Sequence, residues 1–298
     1  MNIKQWVVEL RLRTLPLSFA LIIMGSALAW QNDVFSPSIF VLALTTTLFL
    51  QISSNLANDY GDAVSGVDFA GRVGPARGVQ NGSISMKSLK KAIVLCALLA
   101  FFSGVALLCV AYPRLNLTGF IFMLVVGLLA IAAAITYTVG RYPYGYHGFG
   151  DLGVFVFFGL VGVAGSYTLY AGMPSWASLL PASAIGFLSI GVLNMNNIRD
   201  INADEAAGKR TLVVRMGMHR AKIYHAVVMI LAVVCLFTYV FLFGKPHQGF
   251  FAVSIPFIIN NINTVMKAKE PSQIDGQLKR VSMLTLLIVV VFTFGTIV

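Results

Sequence analysis

Nine times along this 298-residue chain the sequence runs for close to twenty residues with almost no charge, roughly over 14–31, 38–57, 89–111, 116–138, 151–172, 177–198, 220–243, 248–266 and 280–298. About 20 apolar residues in a helix cross the ~30 Å hydrocarbon core of a bilayer. There a helix satisfies its own backbone N–H and C=O groups, which lipid cannot do. Only 11% of residues are charged and the mean hydropathy is +0.84, against roughly 25% charge in soluble domains. The chain therefore reads as an all-α polytopic membrane protein. We expect a single domain over residues 1–298, with nine transmembrane helices bundled around a central cavity and a cap of ordered loops over one mouth.

Lys and Arg accumulate on the cytoplasmic side of spanning helices. Of the 21 basic residues, only Arg114 and Lys245 fall in connections on one side; the rest lie in the N-terminal segment or after spans two, four, six and eight. This pattern predicts a cytoplasmic (inner) membrane protein with its N-terminus inside, its C-terminus outside and the long loops 58–88 and 199–219 in the cytoplasm. The net charge of +10 is then juxtamembrane bias, with anionic membrane lipids as its ordinary partner and nothing that points to nucleic acid.

Ahead of the first span, Ile3, Trp6, Val7 and Leu10 share a helical face while Lys4, Glu9, Arg11 and Arg13 fall elsewhere. An interfacial amphipathic helix over 1–13 fits, and a cleavable signal peptide is not expected, because charge persists to Arg13 and the next apolar run is long enough to span. Cys96, Cys109 and Cys235 all fall at membrane depth without pair or metal spacing and read as packing residues.

Against this oily background the acids stand out. Six of eleven Asp and Glu residues fall in two segments, Asn55-Leu-Ala-Asn-Asp-Tyr-Gly-Asp62 extended to Asp68, and Asn196-Asn-Ile-Arg-Asp-Ile-Asn-Ala-Asp-Glu205. Carboxylates beside membrane spans are costly to keep ionised, so such clusters mark function. Spacings of three and four put Asn55, Asn58 or Asp59, and Asp62 on one face if the helix continues through them, and Asn196, Asp200 and Asp204 likewise. Both sets close a span, at the negative end of the helix macrodipole, where anions call for a cation. Carboxylate and amide oxygens without thiolates or a His cluster suit a hard ion such as Mg²⁺, typically completed by phosphate and water. Each cluster is followed by glycines and bases, Gly71-Arg-Val-Gly-Pro-Ala-Arg-Gly78 and Gly208-Lys-Arg-Thr211. Together they read as a diphosphate site, and its place at a membrane surface suits a substrate with a lipid tail. Asp151 reads first as a helix N-cap, His147 as an interfacial side chain or an acid or base, and the aromatic tract Tyr142–Gly150 as either a membrane belt or a pocket wall.

At these residues the chain resembles the UbiA superfamily of intramembrane prenyltransferases, through Asn55 to Asp62 with Asp68, and Asp200-Ile-Asn-Ala-Asp204. Arg13-Thr-Leu-Pro-Leu17, Gly74-Pro-Ala-Arg-Gly78, Ala134 to Gly140, Pro143-Tyr-Gly-Tyr146 and Gly208-Lys-Arg-Thr-Leu-Val-Val-Arg-Met-Gly217 are similar to the branch that uses 1,4-dihydroxy-2-naphthoate. The resemblance implies a nine-helix bundle, Mg²⁺ held by two Asp motifs, and transfer of a prenyl group from polyprenyl diphosphate to an aromatic ring. In that branch the acceptor loses CO₂ and becomes a demethylmenaquinone precursor. On this reading Asp59, Asp62, Asp200 and Asp204 hold metal and Asn55, Asn58 and Asn196 support them. Arg72, Arg77, Lys209 and Arg141 would hold diphosphate or the acceptor carboxylate, while Tyr137 and Tyr144 face the allylic cation. Asp68 lies six residues after Asp62, where the superfamily commonly has four, and is left out of the expected metal set. The rivals are a relative with another acceptor such as 4-hydroxybenzoate, a CDP-alcohol phosphotransferase, whose acids form one contiguous run, and a cation-coupled transporter, whose acids sit near the midplane.

Overall fold

The structure, a computed structural model, describes residues 3–66, 78–79 and 81–298. Asp68, Arg72 and Arg77 lie outside the described residues, as do the side chains of Ile3, Lys4 and Arg13. Among the described residues every regular element is helical. We number them α1 Ile3–Glu9, α2 Leu15–Gln31, α3 Pro37–Val64, α4 Met86–Thr136, α5 Gly150–Ala171, α6 Leu179–Arg199, α7 Ile201–Ala206, α8 Leu212–Leu242, α9 Pro246–Lys267 and α10 Pro271–Ile297.

Seven of these are long and apolar enough to cross a membrane, and α2 is a shorter apolar helix of 17 residues. The 51-residue α4 is two spans rather than one, because at Asn116 the backbone turns to φ 54°, ψ −177°. Pro113 cannot donate to the helix ladder just before the break. Asn tolerates positive φ, and its Oδ1 restarts the helix by accepting from the Gly119 N–H at 3.1 Å. Counting α2 and both halves of α4, the described residues make nine apolar crossings, as hydropathy predicts. Large side chains in these spans face outward, Phe102 and Phe122 at 63% and Phe241 at 88% exposure; on a multi-pass membrane protein that surface is lipid-facing.

The buried core runs mainly through α2, α5, α6, α8 and α10, with Leu28, Val163, Leu188, Met229 and Phe292 at its centre. A second, smaller cluster of Leu56, Ala57, Ile84, Leu89 and Ile93, with Trp6 and Tyr60 against it, clamps the end of α3 to the start of α4. This cluster fixes the end of α3, where the first acid segment lies.

The structure corrects the sequence reading at several places. Residues 58–64, expected as loop, continue α3, and most of 199–219 is helical, as α7 and the start of α8. The second acid segment is not one helix face, since α6 ends at Arg199, Asp200 turns the chain at φ −96°, ψ 7°, and Asp204 belongs to α7. Glu9, placed on the polar side of the first helix, is buried at 1% exposure with the Gly78 N–H donating to its carboxylate, while Val7 is exposed. Asp151 is not an N-cap: Phe149 holds that position, and the Asp151 carboxylate accepts from the Tyr224 hydroxyl at 3.1 Å.

Candidate active site

A cavity of about 370 Å³ lies between α2, α3, both halves of α4, α5 and α6. Its body is apolar, with Leu108, Met123, Leu124, Phe157, Phe158 and Val161 in its wall, and its polar end is formed by Arg11, Asn55, Asn58, Tyr137, Tyr144 and Asn196. The four aspartates flank that end, and all are buried: Asp59 at 1%, Asp200 at 4%, Asp62 and Asp204 at 5% exposure.

The last two turns of α3 present the first set. Close approach locks this stretch to the chain beyond α4, for a Cβ on Gly61 would stand 2.4 Å from the Thr138 carbonyl oxygen. Thr138 in turn donates to the Ala57 carbonyl at 3.0 Å and the Asn58 side chain at 3.1 Å. Asn55 donates to the Leu10 carbonyl at 3.0 Å and to Thr14 Oγ1 at 3.1 Å, tying the N-terminal segment across the cavity mouth. From that segment Arg11 pairs with Asp59. Burial and the neighbouring Asp59 push the Glu9 carboxyl up to about 7.

The second set is clamped differently. Arg199 grips Asp200 with two hydrogen bonds, Nε to Oδ1 at 2.7 Å and Nη2 to Oδ2 at 2.6 Å, and also donates to Asn196 Oδ1 at 2.8 Å. Such a fork is stronger and more directional than a single contact.

Among the described residues, a lysine joins the two sets. Lys209 Nζ is 2.9 Å from Asp62 Oδ1 and 3.3 Å from Asp204 Oδ1, although 142 positions separate these acids in sequence. The Tyr146 ring lies 4.3 Å beneath the same ammonium, and its hydroxyl donates to Asp62 at 2.7 Å. Burial pushes the Asp204 carboxyl up to about 6, Lys209 opposes this, and the charges of Asp200 and Asp62 add to it. Asp62 and Asp204, drawn to one positive point, would be the residues to hold a divalent ion, which usually takes one or two carboxylates together with substrate phosphate. Among the described residues no three His, Cys, Asp or Glu side chains group closely enough to cage a metal alone. Carboxylate and amide oxygens are the donors a hard ion takes, with substrate phosphate and water to complete its shell.

Residues 18–295 match the UbiA prenyltransferase family. The chain belongs to that family. It is 45% identical, over 97% of its length and 94% of the relative's, to the 1,4-dihydroxy-2-naphthoate octaprenyltransferase of Escherichia coli (strain K12). Its fold matches the apo structure of a UbiA homolog from Aeropyrum pernix K1 with a TM-score of 0.69, at 17% identity over 94% of this chain and 96% of that one. A UbiA homolog from Archaeoglobus fulgidus bound to DMAPP and Mg²⁺ matches with a TM-score of 0.62, at 18% identity over 96% and 98% of the two chains.

In this prenyltransferase the expected residues are distributed unevenly. Asn55, Asn58, Asn196, Tyr137 and Tyr144 line the cavity, the two tyrosines edge to face with centroids 5.3 Å apart. Lys209 touches both acid sets. Arg141 does not line the cavity; it is exposed, 5.4 Å over the Tyr142 ring. His147 is also exposed and its Nδ1 engages the Pro143 carbonyl at 2.9 Å. Arg11, Arg199 and Tyr146 were missed by sequence reasoning. Arg199 sits between Asn196 and Asp200, and its forked clamp was open to inference; Tyr146 was hidden in an aromatic tract that also fits a membrane belt.

Proposed function

We propose that this protein transfers a polyprenyl group from polyprenyl diphosphate to 1,4-dihydroxy-2-naphthoate in a Mg²⁺-dependent reaction. The ring carbon that bears the carboxylate is alkylated, CO₂ and diphosphate leave, and the product is a demethylmenaquinol, which oxidises to demethylmenaquinone. The observation that carries the reading is Lys209 held between Asp62 and Asp204, at the polar end of an apolar cavity fit for an isoprenoid.

In this reading Asp59, Asp62, Asp200 and Asp204 hold the ions, and Asn55, Asn58 and Asn196 set the helix ends that carry them. Bound Mg²⁺ supplies charge stabilisation to the departing diphosphate. Lys209 adds a positive charge at the same point, and Arg72 and Arg77, from the segment outside the described residues, are assigned to the remaining phosphate oxygens. Preorganised charges of this kind stabilise a leaving group without a covalent nucleophile. Tyr137 and Tyr144 offer ring faces at the cavity's polar end, suited to an allylic cation, while the apolar wall keeps water from that cation. The 45% identical relative, by its name, acts on 1,4-dihydroxy-2-naphthoate, and this supports the same acceptor here. The basic bias of the loops supports an inner-membrane protein with its N-terminus and active site on the cytoplasmic side and its C-terminus outside.

The test is the purified protein in lipid nanodiscs with octaprenyl diphosphate and a panel of acceptors including 1,4-dihydroxy-2-naphthoate and 4-hydroxybenzoate. The expected product is prenylated naphthoquinol lacking the carboxylate, formed with Mg²⁺ and not with chelator. Preference for 4-hydroxybenzoate, or turnover indifferent to chelator, would sink the reading.

A further inference from the structure

Two turns before Asp59, within the apolar span α3, stands Gln51. At bilayer depth an amide is costly unless its polar groups are met, and polar side chains there either tie helices together or serve a function. Gln51 lines the cavity beside Thr14, Ser18 and Asn55.

These four side chains form one hydrogen-bonded chain, and backbone carbonyls fix its direction because they can only accept. Asn55 donates to the Leu10 carbonyl at 3.0 Å and to Thr14 Oγ1 at 3.1 Å, and Thr14 donates to the Arg11 carbonyl at 2.9 Å. The Asn55 amide oxygen is thereby turned toward Gln51. Gln51 must donate to it, and does so at 3.0 Å, with a longer contact of 3.5 Å to Thr14 Oγ1. That sets the Gln51 oxygen toward α2, where the Ser18 hydroxyl donates to it at 2.5 Å. Every N–H and O–H of the four is thus engaged within the protein. What remains is acceptor capacity, since an amide oxygen has two lone pairs and those of Gln51 and Asn55 each receive one donor here. Holding α2 to α3 would need no more than this closed set, yet Gln51 is only half-buried and faces the cavity. There it offers an acceptor and no donor. A carboxylate or phosphate, which brings only lone pairs, gains nothing from it, whereas a hydroxyl does.

We propose that Gln51 Oε1 accepts a hydrogen bond from a ring hydroxyl of the aromatic acceptor, making Gln51 a determinant of acceptor choice. This rests on the prenyl-transfer reading above. In 1,4-dihydroxy-2-naphthoate the 1-hydroxyl adjoins the carboxylate and donates to it within the molecule, a charge-assisted bond. The 4-hydroxyl, on the far side of the same ring, is the free donor. Gln51 precedes Asp59 by eight residues, about 12 Å along α3, so a ring whose reacting carbon meets the prenyl group beside the diphosphate presents its far side to Gln51.

The experiment measures the affinities of 1,4-dihydroxy-2-naphthoate and of 1-hydroxy-2-naphthoate, which lacks the 4-hydroxyl. Calorimetry is run without oxygen on the protein in nanodiscs, with Mg²⁺ and an unreactive thiolodiphosphate analogue of the donor. Wild type should bind the diol about tenfold more tightly, the scale of one well-placed hydrogen bond. In Gln51→Met, which keeps the length and removes the acceptor oxygen, the preference should fall below about threefold, chiefly through weaker binding of the diol. A wild-type preference below threefold overturns the proposal, and so does a preference in Gln51→Met, or in Gln51→Leu if the first variant does not fold, that stays within twofold of wild type. Wild type that binds neither naphthoate would instead sink the acceptor assignment. The same comparison, made between whichever acceptor binds and its analogue without the ring hydroxyl, would then decide the role of Gln51.

Discussion

Replacing Lys209 with Met removes the charge that, among the described residues, bridges the two acid sets, and keeps the length of the side chain. Asp62 and Asp204 each touch its ammonium, at 2.9 and 3.3 Å, and each has only 7% of its side chain exposed. Removing one partner of a buried ion pair costs about 3–5 kcal/mol, because the charge left behind is uncompensated. Tyr146 still donates to Asp62, which holds the loss near the lower end of that range. Lys209→Met should therefore destabilise the metal-free protein by about 3 kcal/mol. In the Asp62→Asn background, where one charge is already gone, the same change should cost about 1 kcal/mol or less. Equilibrium unfolding in mixed micelles of the wild type, both single variants and the double variant gives the coupling. Addition of Mg²⁺ with inorganic diphosphate should close most of the Lys209→Met deficit, because cation and ammonium answer the same pair of carboxylates. Additive single effects, or a Lys209→Met loss that ions do not change, would refute the convergence on which the site is built.

Other consequences are open to direct measurement. Asp59→Asn and Asp200→Asn should each lower prenyl transfer by at least about 100-fold, the scale of losing a preorganised charge at a reacting centre, while gel filtration still shows a folded protein; retained turnover in either would remove that residue from the metal set. Gly61→Ala should destabilise by about 1–3 kcal/mol through overpacking, since its Cβ meets the Thr138 backbone at 2.4 Å, and an unchanged unfolding midpoint would show that the two segments part easily. Asp275 is 44% exposed where it meets Arg199 at 3.2 Å, so Asp275→Asn should cost under about 1 kcal/mol, whereas Arg199→Met, which strips the fork from buried Asp200, should cost about 3–5 kcal/mol. Protons compete with the cation at Asp204, whose carboxyl is pushed up to about 6: below that pH the metal must displace a proton, so the Mg²⁺ concentration for half-maximal turnover should rise as pH falls through 6, and a flat requirement would argue against Asp204 as a ligand.

The sequence carried the crossings and the acids because both are extremes of composition. Apolar runs near twenty residues have few other uses, and carboxylates beside them are too costly to be incidental. Even the break that divides α4 was readable, since Pro113 and Asn116 lie between two runs each long enough to span. Legibility fell where tertiary contact decides. On a helical wheel Glu9 belongs to water, and the Gly78 N–H and the Gln5 amide that donate to its carboxylate offset the cost of burial. Periodicity put Asn196, Asp200 and Asp204 on one face, yet the chain turns at Asp200 and the clamp of Arg199 holds the motif together instead.

The same contrast explains why the sequence pointed to Lys209 and passed over Tyr146. A base following an acid cluster carries its function in its charge, which position in sequence reveals. An aromatic residue in a membrane protein has two equally good uses, at the lipid interface or against a polar group, and sequence does not separate them. In the folded chain Tyr146 takes the second use: its hydroxyl holds Asp62 while its ring lies under the Lys209 ammonium. It thus orients both members of the bridging ion pair from a third segment. A site assembled this way can hold two acid sets 142 positions apart in register without a metal, because the ammonium and the phenol already share the charge that an incoming ion would take up.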